Sequence, residues 1–331
     1  MNAANKSVLV TGGAGYIGSH VALELCGYGH DVTVFDNLRT GHEKNIDSRA
    51  KFIRGDILNI AELEAVFSKS YDAVFHFSAL KDAGESMLEP QKYSTANITG
   101  TINILNQMVE HDVQNIVFSS TAAVYGMPKY IPINEDHPLE PINFYGFTKL
   151  EIERLLYWYS ELKGVRYAAL RYFNAVGYDL KGRITGLEKN PLNLLPIVME
   201  TAIGSRKAMQ VYGDDYKTKD GSGIRDYIHV SDLATGHVKA MEYMMNQKEN
   251  LILNLATGIG YSVFDIIQSA GQVTGQTISH TVTARRPGDP AQLIAVSTRA
   301  KDKIDWECKY SDIETILESM WNVYNNKKSV C

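Results

Sequence analysis

The residues TGGAGYIG at positions 11–18 decide the fold of this chain. They follow a strand-like apolar run at Val8–Val10 and precede a stretch with helical spacing. Gly13, Gly15 and Gly18 match the spacing Gly-x-Gly-x-x-Gly, which lets a backbone turn tightly and approach a pyrophosphate at a helix N-terminus. The run therefore predicts a phosphate-binding loop between the first strand and the first helix. The alternative is a glycine-rich turn before an ordinary helix.

Beyond this loop, short strand-like runs alternate with longer helical patterns. Such alternation is typical of a parallel sheet whose crossover helices cover both faces. The predicted strands are Ser7–Thr11, Asp31–Phe35, Lys51–Ile53, Ala73–Phe77, Asn115–Ser119 and Tyr167–Tyr172. The predicted helices are Tyr16–Gly27, Ile60–Ser68, Pro90–His111 and Tyr145–Lys163. The fold class is α/β, a doubly wound parallel Rossmann sheet.

The pattern changes after Phe173, where Gly, Pro and Asn punctuate shorter and mixed segments. This change predicts a smaller mixed α/β domain over the open edge of the sheet. We expect a dinucleotide-binding domain at 1–173 and a discontinuous substrate-binding domain at 174–331. Residues near 228–257 again look like a helix and a strand, so we expect them to return to the main sheet.

Composition narrows the function classes. The 331 residues are 44% hydrophobic and carry a formal net charge of -5, which predicts a compact protein without a polycationic face for nucleic acid or an anionic membrane. No apolar stretch reaches the ~20 residues of a membrane span. Cys26, Cys308 and Cys331 form neither a disulfide framework nor a metal-binding spacing. We therefore expect a cytoplasmic protein without a metal site.

A carboxylate at the end of the second strand indicates which dinucleotide binds. Asp36 follows Gly18 by 18 residues, where it can accept hydrogen bonds from the adenosine ribose and would repel a 2'-phosphate. This favours NAD over NADP, although the nearby Arg39 keeps NADP open. Asp56 closes the third strand and is either an adenine contact or a helix cap.

A tyrosine four residues before a lysine places a phenol and an ammonium on one helix face, where the cation favours the phenolate. Lowering a phenol pKa from ~10 to near 7 needs about 4 kcal/mol, and we expect this lysine and the positive charge of NAD to supply it. The chain contains four such pairs: Tyr125/Lys129, Tyr145/Lys149, Tyr159/Lys163 and Tyr324/Lys328.

Position separates the four pairs. The first contains Pro128, which disfavours a helix, the third lies about 21 Å further along the helix than Tyr145, and the last falls in a polar C-terminal tail. Only Tyr145/Lys149 begins the helix beside the carboxyl ends of the strands, where α/β enzymes bind ligands. Thr121, which follows Ser119 and Ser120 at the end of the fifth strand, can bind the substrate oxygen there.

With these motifs in place, the sequence resembles the extended short-chain dehydrogenase/reductase superfamily and, within it, the UDP-glucose/UDP-galactose 4-epimerase family. The runs that carry the narrower resemblance span nearly the whole chain. They are His76-Phe-Ser-Ala-Leu-Lys81, Gly84-Glu-Ser86, Arg171-Tyr-Phe-Asn174, Asn193-Leu194, Gly223-Ile-Arg-Asp-Tyr-Ile-His229 and Arg285-Arg-Pro-Gly-Asp289.

The resemblance implies two sets of contacts. The NAD set comprises Gly12, Gly15, Tyr16, Ile17, Gly18, Asp36, Asn37, Asp56, Ile57, Phe77, Lys81, Asn97, Ser119, Tyr145, Lys149 and Phe173. The UDP-sugar set comprises Thr121, Asn174, Asn193, Leu194, Tyr212, Arg225, Arg286, Asp289 and Leu293. Two arginines in the second set suit forked hydrogen bonds to a diphosphate.

The implied reaction inverts C4 of a UDP-hexose. Tyr145 takes the O4 proton, the C4 hydride passes to NAD, and the 4-keto sugar turns over before the hydride returns to its other face. The alternative is a UDP-sugar dehydratase or decarboxylase, but similar enzymes of those classes carry acidic residues where this chain has Ala122 and Ala123. A third alternative, a non-catalytic dinucleotide sensor, disagrees with the joint presence of Tyr145, Lys149 and Thr121.

Two finer expectations concern the substrate and the assembly. Leu293 stands where some family members restricted to unacetylated sugars carry Tyr, so we expect UDP-GlcNAc and UDP-GalNAc also to be accepted. The resemblance further implies a homodimer through the helices at Pro90–His111 and Tyr145–Lys163. The aromatic cluster Tyr157-Trp158-Tyr159 either serves this contact or packs inward.

Overall fold

The computed structural model describes residues 5–188, 191–286 and 288–328. Cys331 and Pro287, which belong to the cysteine set and to the Arg285–Asp289 motif, lie outside the described residues. Seven parallel strands form the main sheet, in the spatial order Leu251–Leu255, Arg166–Tyr172, Asn115–Ser119, Ala73–His76, Ser7–Thr11, Asp31–Asp36 and Lys51–Arg54. The predicted doubly wound α/β fold is confirmed.

The strands have the following bounds: β1 Ser7–Thr11, β2 Asp31–Asp36, β3 Lys51–Arg54, β4 Ala73–His76, β5 Asn115–Ser119, β6 Arg166–Tyr172, β7 Asn174–Val176, β8 Met209–Tyr212, β9 Ile224–His229, β10 Leu251–Leu255, β11 Gly260–Ser262, β12 His280–Thr283 and β13 Gln292–Leu293. The α-helices are α1 Tyr16–Gly27, α2 Ile60–Phe67, α3 Ala83–Leu88, α4 Pro90–Tyr93, α5 Gly100–Glu110, α6 Phe144–Lys163, α7 Leu194–Ala202, α8 Val230–Gln247, α9 Val263–Thr274, α10 Thr298–Ile304 and α11 Ile313–Lys328. None of the helices in the described ranges combines the length and apolarity needed to cross a bilayer.

The main sheet is buried on both faces, as a parallel sheet with crossover helices requires. Successive side chains of β1 point to opposite faces. Val8 and Val10 pack with α1 and α8 in one core cluster, whereas Leu9 packs with α2, α5 and α6 in another. The two helical layers cover the faces of the sheet. The carboxyl edge is not part of these faces and is therefore available to form a site.

The single helix predicted over Pro90–His111 is wrong in detail. The run divides into α4, a π-helical turn at Ser94–Thr99 and α5. The wide turn carries Asn97, which is fully buried and bonds with the backbone of Leu80 and the hydroxyl of Thr148. Helix α3, which the sequence patterns did not predict, precedes this run.

A smaller region lies over the carboxyl edge of the main sheet. It contains a four-stranded sheet built on β9, with β7, β11 and β13 as its neighbours, and the two-stranded pair β8/β12. Helices α7, α9 and α11 supply its apolar core. The prediction of a polar tail at Tyr324/Lys328 is wrong, because Tyr324 is only 2% exposed and packs in this core from α11.

Candidate active site

The carboxyl ends of the central strands gather the predicted catalytic and cofactor residues at one edge. Thr11 ends β1 and pairs in register with His76, which ends β4 and in turn pairs with Phe118 of β5. Because these strands run parallel, their ends and the loops that follow lie side by side. Helix α1 begins at the same edge, directly after the glycine loop.

The glycine loop is closely packed against the next strand ends. Gly12 has a φ of +73°, and a Cβ there would lie 2.6 Å from the backbone nitrogen of Ser78. At Gly18 a Cβ would lie 2.3 Å from the carbonyl oxygen of Gly12. Gly15 caps α1 without a side chain, and the first N–H groups of a helix have no partner within it. The loop thus presents free N–H groups to an anion.

A cleft beside this loop brings together seven of the predicted NAD contacts. Its lining comprises Gly12, Gly15, Asp36, Asn37, Arg39, Thr40, Gly55, Asp56, Ile57, Leu58, Phe77, Ser78, Ala79, Leu80 and Ala96. Glycines that a Cβ would obstruct, a buried carboxylate and apolar walls suit the phosphate, ribose and adenine of a dinucleotide. The donor set therefore fits the cofactor that the sequence predicts.

Asp36 is oriented by the backbone around it. Its two oxygens accept hydrogen bonds from Ala14 N at 3.0 Å and Leu38 N at 2.7 Å. Burial raises the pKa of this carboxyl, and the two backbone hydrogen bonds oppose the rise. Arg39 also lines the cleft.

The two alternatives for Asp56 are separated by the structure. Helix α2 is capped by Asn59, whose side chain accepts from Glu62 N, so Asp56 is not the cap. One Asp56 oxygen accepts from Asn37 Nδ2 at 2.8 Å and the other from Leu58 N at 2.9 Å. The carboxylate lines the cleft, and its contact with adenine stays a prediction.

Other predicted NAD contacts lie along the margins of this cleft. Lys81 pairs with Glu188 in the loop that follows β7, and Tyr16 donates its hydroxyl hydrogen bond to Gly177 O in the same loop. Ile17 packs partly buried against the core. These contacts connect the cofactor region to the smaller region above it.

Helix α6 places Tyr145 and Lys149 one turn apart. Asn143 caps the helix by accepting from Gly146 N at 2.8 Å. A Cβ at Gly146 would lie 2.6 Å from Ala123 O, so the absence of a side chain lets the helix approach the end of β5, where Thr121 lies. The predicted catalytic trio is thereby brought together.

The Lys149 ammonium is directed at the strand end. Its Nζ donates to Ser119 O at 2.7 Å, and it lies 6.0 Å from the centroid of the Tyr145 ring. Lys149 is 2% exposed, and this burial lowers its pKa to about 7, while the charge of Glu153 opposes the shift.

The expected lowering of the Tyr145 pKa does not occur in the protein by itself. Tyr145 is half-buried as a residue, but its surroundings desolvate the phenol and raise its pKa to about 12. A hydrogen bond with the Thr121 side chain opposes this rise, and Lys149 has no resolved effect. The reason is geometric, because the ammonium points to a carbonyl rather than to the phenol.

The predicted UDP-sugar residues line the smaller region. Arg225 forms an ion pair with Asp289, and the Arg286 guanidinium lies 3.8 Å from the centroid of the Tyr212 ring. Such a stacked, forked cation suits a diphosphate beside a flat base.

Three further predicted residues lie near these arginines or the strand ends. Asn174 donates from Nδ2 to Asp226 O at 2.9 Å, and Leu293 pairs in register with Arg225. Leu293 and Phe173 both pack against the cluster that contains Leu150 of α6. The sugar-side and cofactor-side residues therefore share one apolar wall.

Asn193 and Leu194 start helix α7. Asn193 is exposed and its side chain makes no capping hydrogen bond, whereas Leu194 packs partly buried in the core of the smaller region.

Sequence reasoning missed a polar group directly behind the trio. Glu153 forms a buried ion pair with Arg171 and accepts a hydrogen bond from Ser120. The available signal is its position four residues after Lys149, which puts both on one face of α6.

Comparisons with known proteins agree with this geometry. Residues 8–256 match the NAD dependent epimerase/dehydratase family. The UDP-glucose 4-epimerase of Halalkalibacterium halodurans is 47% identical over 317 residues, covering 96% of this chain and 95% of that protein.

Two solved structures are similar over almost their full length. The UDP-glucose 4-epimerase of Brucella ovis in complex with NAD has a TM-score of 0.94 and 43% identity, with 96% and 98% of the two chains covered. The UDP-Glc/GlcNAc 4-epimerase of Campylobacter jejuni has a TM-score of 0.86 and 34% identity, with 97% and 100% covered.

The glycine loop gives a test of the dinucleotide site. In Gly18→Ala the new methyl group meets the backbone of Gly12, and relieving such overpacking costs about 1–3 kcal/mol. We expect dinucleotide affinity to fall about 10-fold or more, since ~1.4 kcal/mol is tenfold. The control is Gly27→Ala in the same helix, where a Cβ meets nothing within 4 Å. Calorimetric titration with NAD measures both, and equal affinities would contradict the assignment.

Proposed function

The chain belongs to the NAD dependent epimerase/dehydratase family, and on that premise we propose that it interconverts UDP-glucose and UDP-galactose by inverting C4. It is an NAD-dependent isomerase whose curated relative from Halalkalibacterium halodurans bears the name UDP-glucose 4-epimerase. The observation that carries this proposal is the meeting of Tyr145, Lys149 and Thr121 at the end of β5.

Each residue of the trio has one role. Tyr145 removes the O4 proton of the sugar and later returns it, while Thr121 binds the same oxygen. Bound NAD supplies the hydride acceptor and a positive charge beside the phenol. Lys149 acts as an ammonium that holds the end of β5 through Ser119 O and adds its charge to the site.

The site must grip the nucleotide and release the sugar ring for turning. Arg225 and Arg286 hold the diphosphate end, where forked charge-assisted hydrogen bonds are strong, and Asp289 pairs with Arg225. Asn174 and the half-buried Leu293 border the hexose. The apolar surface of Leu293 makes no directional bond, which lets a 4-keto sugar present either face.

This chain lacks the acidic proton donor that a dehydratase or decarboxylase would need at the strand end. Ala122 and Ala123 follow Thr121, and neither side chain can protonate a leaving group. An epimerised product also keeps the mass of its substrate, so a mass spectrum of the product distinguishes the two reactions.

Replacing the base tests the mechanism directly. In Tyr145→Phe the helix keeps its packing but loses the group that moves the O4 proton, so we expect kcat to fall roughly 10²–10⁴-fold. The matched control is Tyr159→Phe on the same helix, whose hydroxyl bonds with Asn106. A coupled assay for UDP-glucose from UDP-galactose follows both variants, and full activity in Tyr145→Phe would rule out this base.

The acetylated sugars form a second substrate pair. The related structure from Campylobacter jejuni is named a UDP-Glc/GlcNAc 4-epimerase. In this chain Leu293 lies beside Arg225 on the neighbouring strand and carries no hydroxyl. A shorter side chain here leaves room for an N-acetyl group, since rejection of a larger substrate works through a clash.

A tyrosine at this position provides the test. We expect the wild-type chain to turn over UDP-GlcNAc and Leu293→Tyr to lose that turnover about 10-fold or more, with UDP-glucose conversion kept, because one clash of ~1–3 kcal/mol suffices. Leu293→Met is the control of similar volume. Kinetics on both sugar pairs decide, and a wild-type chain inactive on UDP-GlcNAc would refute the broader specificity.

Domain division and compartment follow from the same function. Residues 1–173 with a return near 228–257 bind NAD, and 174–331 otherwise bind the UDP-sugar. The pairing of β10 with β6 supports the return.

Cys26 and Cys308 are free thiols, which supports a reducing compartment and hence the cytoplasm.

The homodimer expected through Pro90–His111 and Tyr145–Lys163 stays a proposal, and exposed apolar residues favour α6 together with α3, which directly precedes the first of these runs. Phe147, Trp158 and Leu162 follow one face of α6 with helical spacing and are exposed, Leu162 by 70%. Leu88 of α3 is 81% exposed. An apolar stripe of this kind on two adjacent helices suits a second copy of the chain. Tyr157 and Trp158 are also exposed, which opposes the alternative that they pack inward.

A charge in the stripe tests the dimer. Leu162→Asp places a carboxylate in the proposed interface, where burying it is costly, so we expect a monomer in sedimentation at micromolar concentration. Ile60→Asp, an exposed apolar residue at the start of α2, is the control and stays dimeric. A dimer unchanged by Leu162→Asp would move the interface elsewhere.

A further inference from the structure

A buried ion pair lies directly behind the catalytic lysine. The carboxylate of Glu153 on α6 accepts from Arg171 Nε at 3.0 Å and Nη2 at 2.6 Å, and Arg171 comes from β6. Both side chains are almost fully buried. Burying a charge pair costs desolvation free energy that the attraction between the charges only partly offsets. The presence of this pair therefore indicates a role beyond stability.

Glu153 also holds the strand end that carries the proposed proton-binding groups. The Ser120 hydroxyl donates to the same Glu153 oxygen as Arg171 Nε. Ser120 stands between Ser119, whose carbonyl accepts from Lys149, and Thr121. One carboxylate thus ties helix α6 to the turn at Ser119–Thr121 from behind, while Lys149 ties them from the front.

The pair extends into a chain of satisfied polar groups. Arg171 Nη1 donates to the Tyr125 hydroxyl at 3.1 Å, and that hydroxyl donates to Asn254 Oδ1 at 2.6 Å. Every link crosses between elements, from α6 to β6 and on to β10. The carboxylate is therefore fixed on the side of Lys149 rather than free to turn away.

The groups that face Lys149 come from three elements. From α6 they are Tyr145 and Glu153, and from β4 there is His76, whose pKa is lowered to about 3 by burial and by the charge of Lys149. From β6, the Tyr172 hydroxyl bonds with the Ser119 side chain, and burial raises its pKa above the range of normal titration. Among the described residues, Glu153 is the charged group with a resolved effect on the Lys149 pKa, which it raises.

We propose that Glu153 is a positioning residue that keeps the Lys149 ammonium protonated during catalysis and fixes the turn carrying Thr121. The inference rests on the proposed epimerase activity, in which Lys149 acts as a cation. It acts through Lys149 and Ser120 and does not itself touch the sugar. Its carboxylate supplies the negative charge that a buried amine one helical turn away requires.

A pH profile separates this role from a merely structural one. Lys149 is active while protonated, so activity falls as the pH rises through its pKa. In Glu153→Gln the protonated form of Lys149 loses the negative charge that stabilises it, so the pKa of Lys149 falls. The alkaline limb of log kcat against pH then moves to lower pH by about 1 unit, the lower end of the pKa shift that a close charge causes. A purely structural role lowers kcat equally at every pH and leaves the limb in place, which would overturn the proposal.

Two controls isolate the charge. Glu64→Gln makes the same chemical change on the exposed surface of α2 and keeps the wild-type profile. Ser120→Ala keeps the carboxylate but removes one hydrogen bond, so we expect lower kcat without a moved limb. A limb moved as far by Ser120→Ala as by Glu153→Gln would show that charge is not the cause.

A second variant separates a loss of stability from the loss of the carboxylate. Glu153→Gln leaves the Arg171 cation buried without a partner, which destabilises a fold strongly. The double variant Glu153→Gln with Arg171→Met removes both charges and still lacks the carboxylate, so its limb moves in the same direction. Wild-type protein assayed alongside distinguishes the two hypotheses, because an inactive wild type refutes the epimerase itself and an active one with an unmoved variant limb refutes only the role of Glu153.

Discussion

The hydrogen bond from Lys149 Nζ to Ser119 O is the interaction on which the site depends. A buried amine must find an acceptor, and the carbonyl at the end of β5 is 2.7 Å away. Together with the hydrogen bond between Ser120 and Glu153, this contact fixes α6 against the strand end, so that Tyr145 and Thr121 lie together. Without it, the spacing of Tyr145 and Lys149 on the helix would have no fixed relation to the sheet.

The protein interior holds several buried charged and polar groups, and their partners compensate them. Glu153 is paired with Arg171, and the carboxylate of Asp226 accepts from Thr257 N, Thr257 Oγ1 and Gly258 N. His76 stays neutral between two threonine hydroxyls. These arrangements keep polar atoms in an apolar core at tolerable cost, and they let the protein hold the Lys149 cation one helical turn from Tyr145, the proposed base.

The two halves of the cleft are built on different physical grounds. On the cofactor side, Gly12 and Gly18 pack so closely that a methyl group would strike backbone atoms, which suits a ligand that stays bound. On the sugar side, Arg225 and Asp289 form a partly exposed ion pair, and Leu293 adds a half-buried apolar surface. In the proposed function, directional contacts serve the nucleotide end and an adaptable surface serves the hexose, as a turning intermediate needs.

The sequence by itself determined the features that depend on the spacing of nearby residues. The glycine loop, the alternating strands and helices, the position of Tyr145 with Lys149, and the carboxylate of Asp36 all follow from short-range patterns whose physics is local. Only the tertiary structure decided what depends on distant residues meeting. The π-helical turn buries Asn97 against Thr148, Tyr324 is buried in the core of the smaller region, and Glu153 contacts Arg171. These contacts join positions far apart in the chain, or helix faces whose orientation cannot be read from sequence periodicity. The same holds for the phenol of Tyr145, whose pKa is raised because burial, a property of the whole fold, outweighs the hydrogen bond with Thr121.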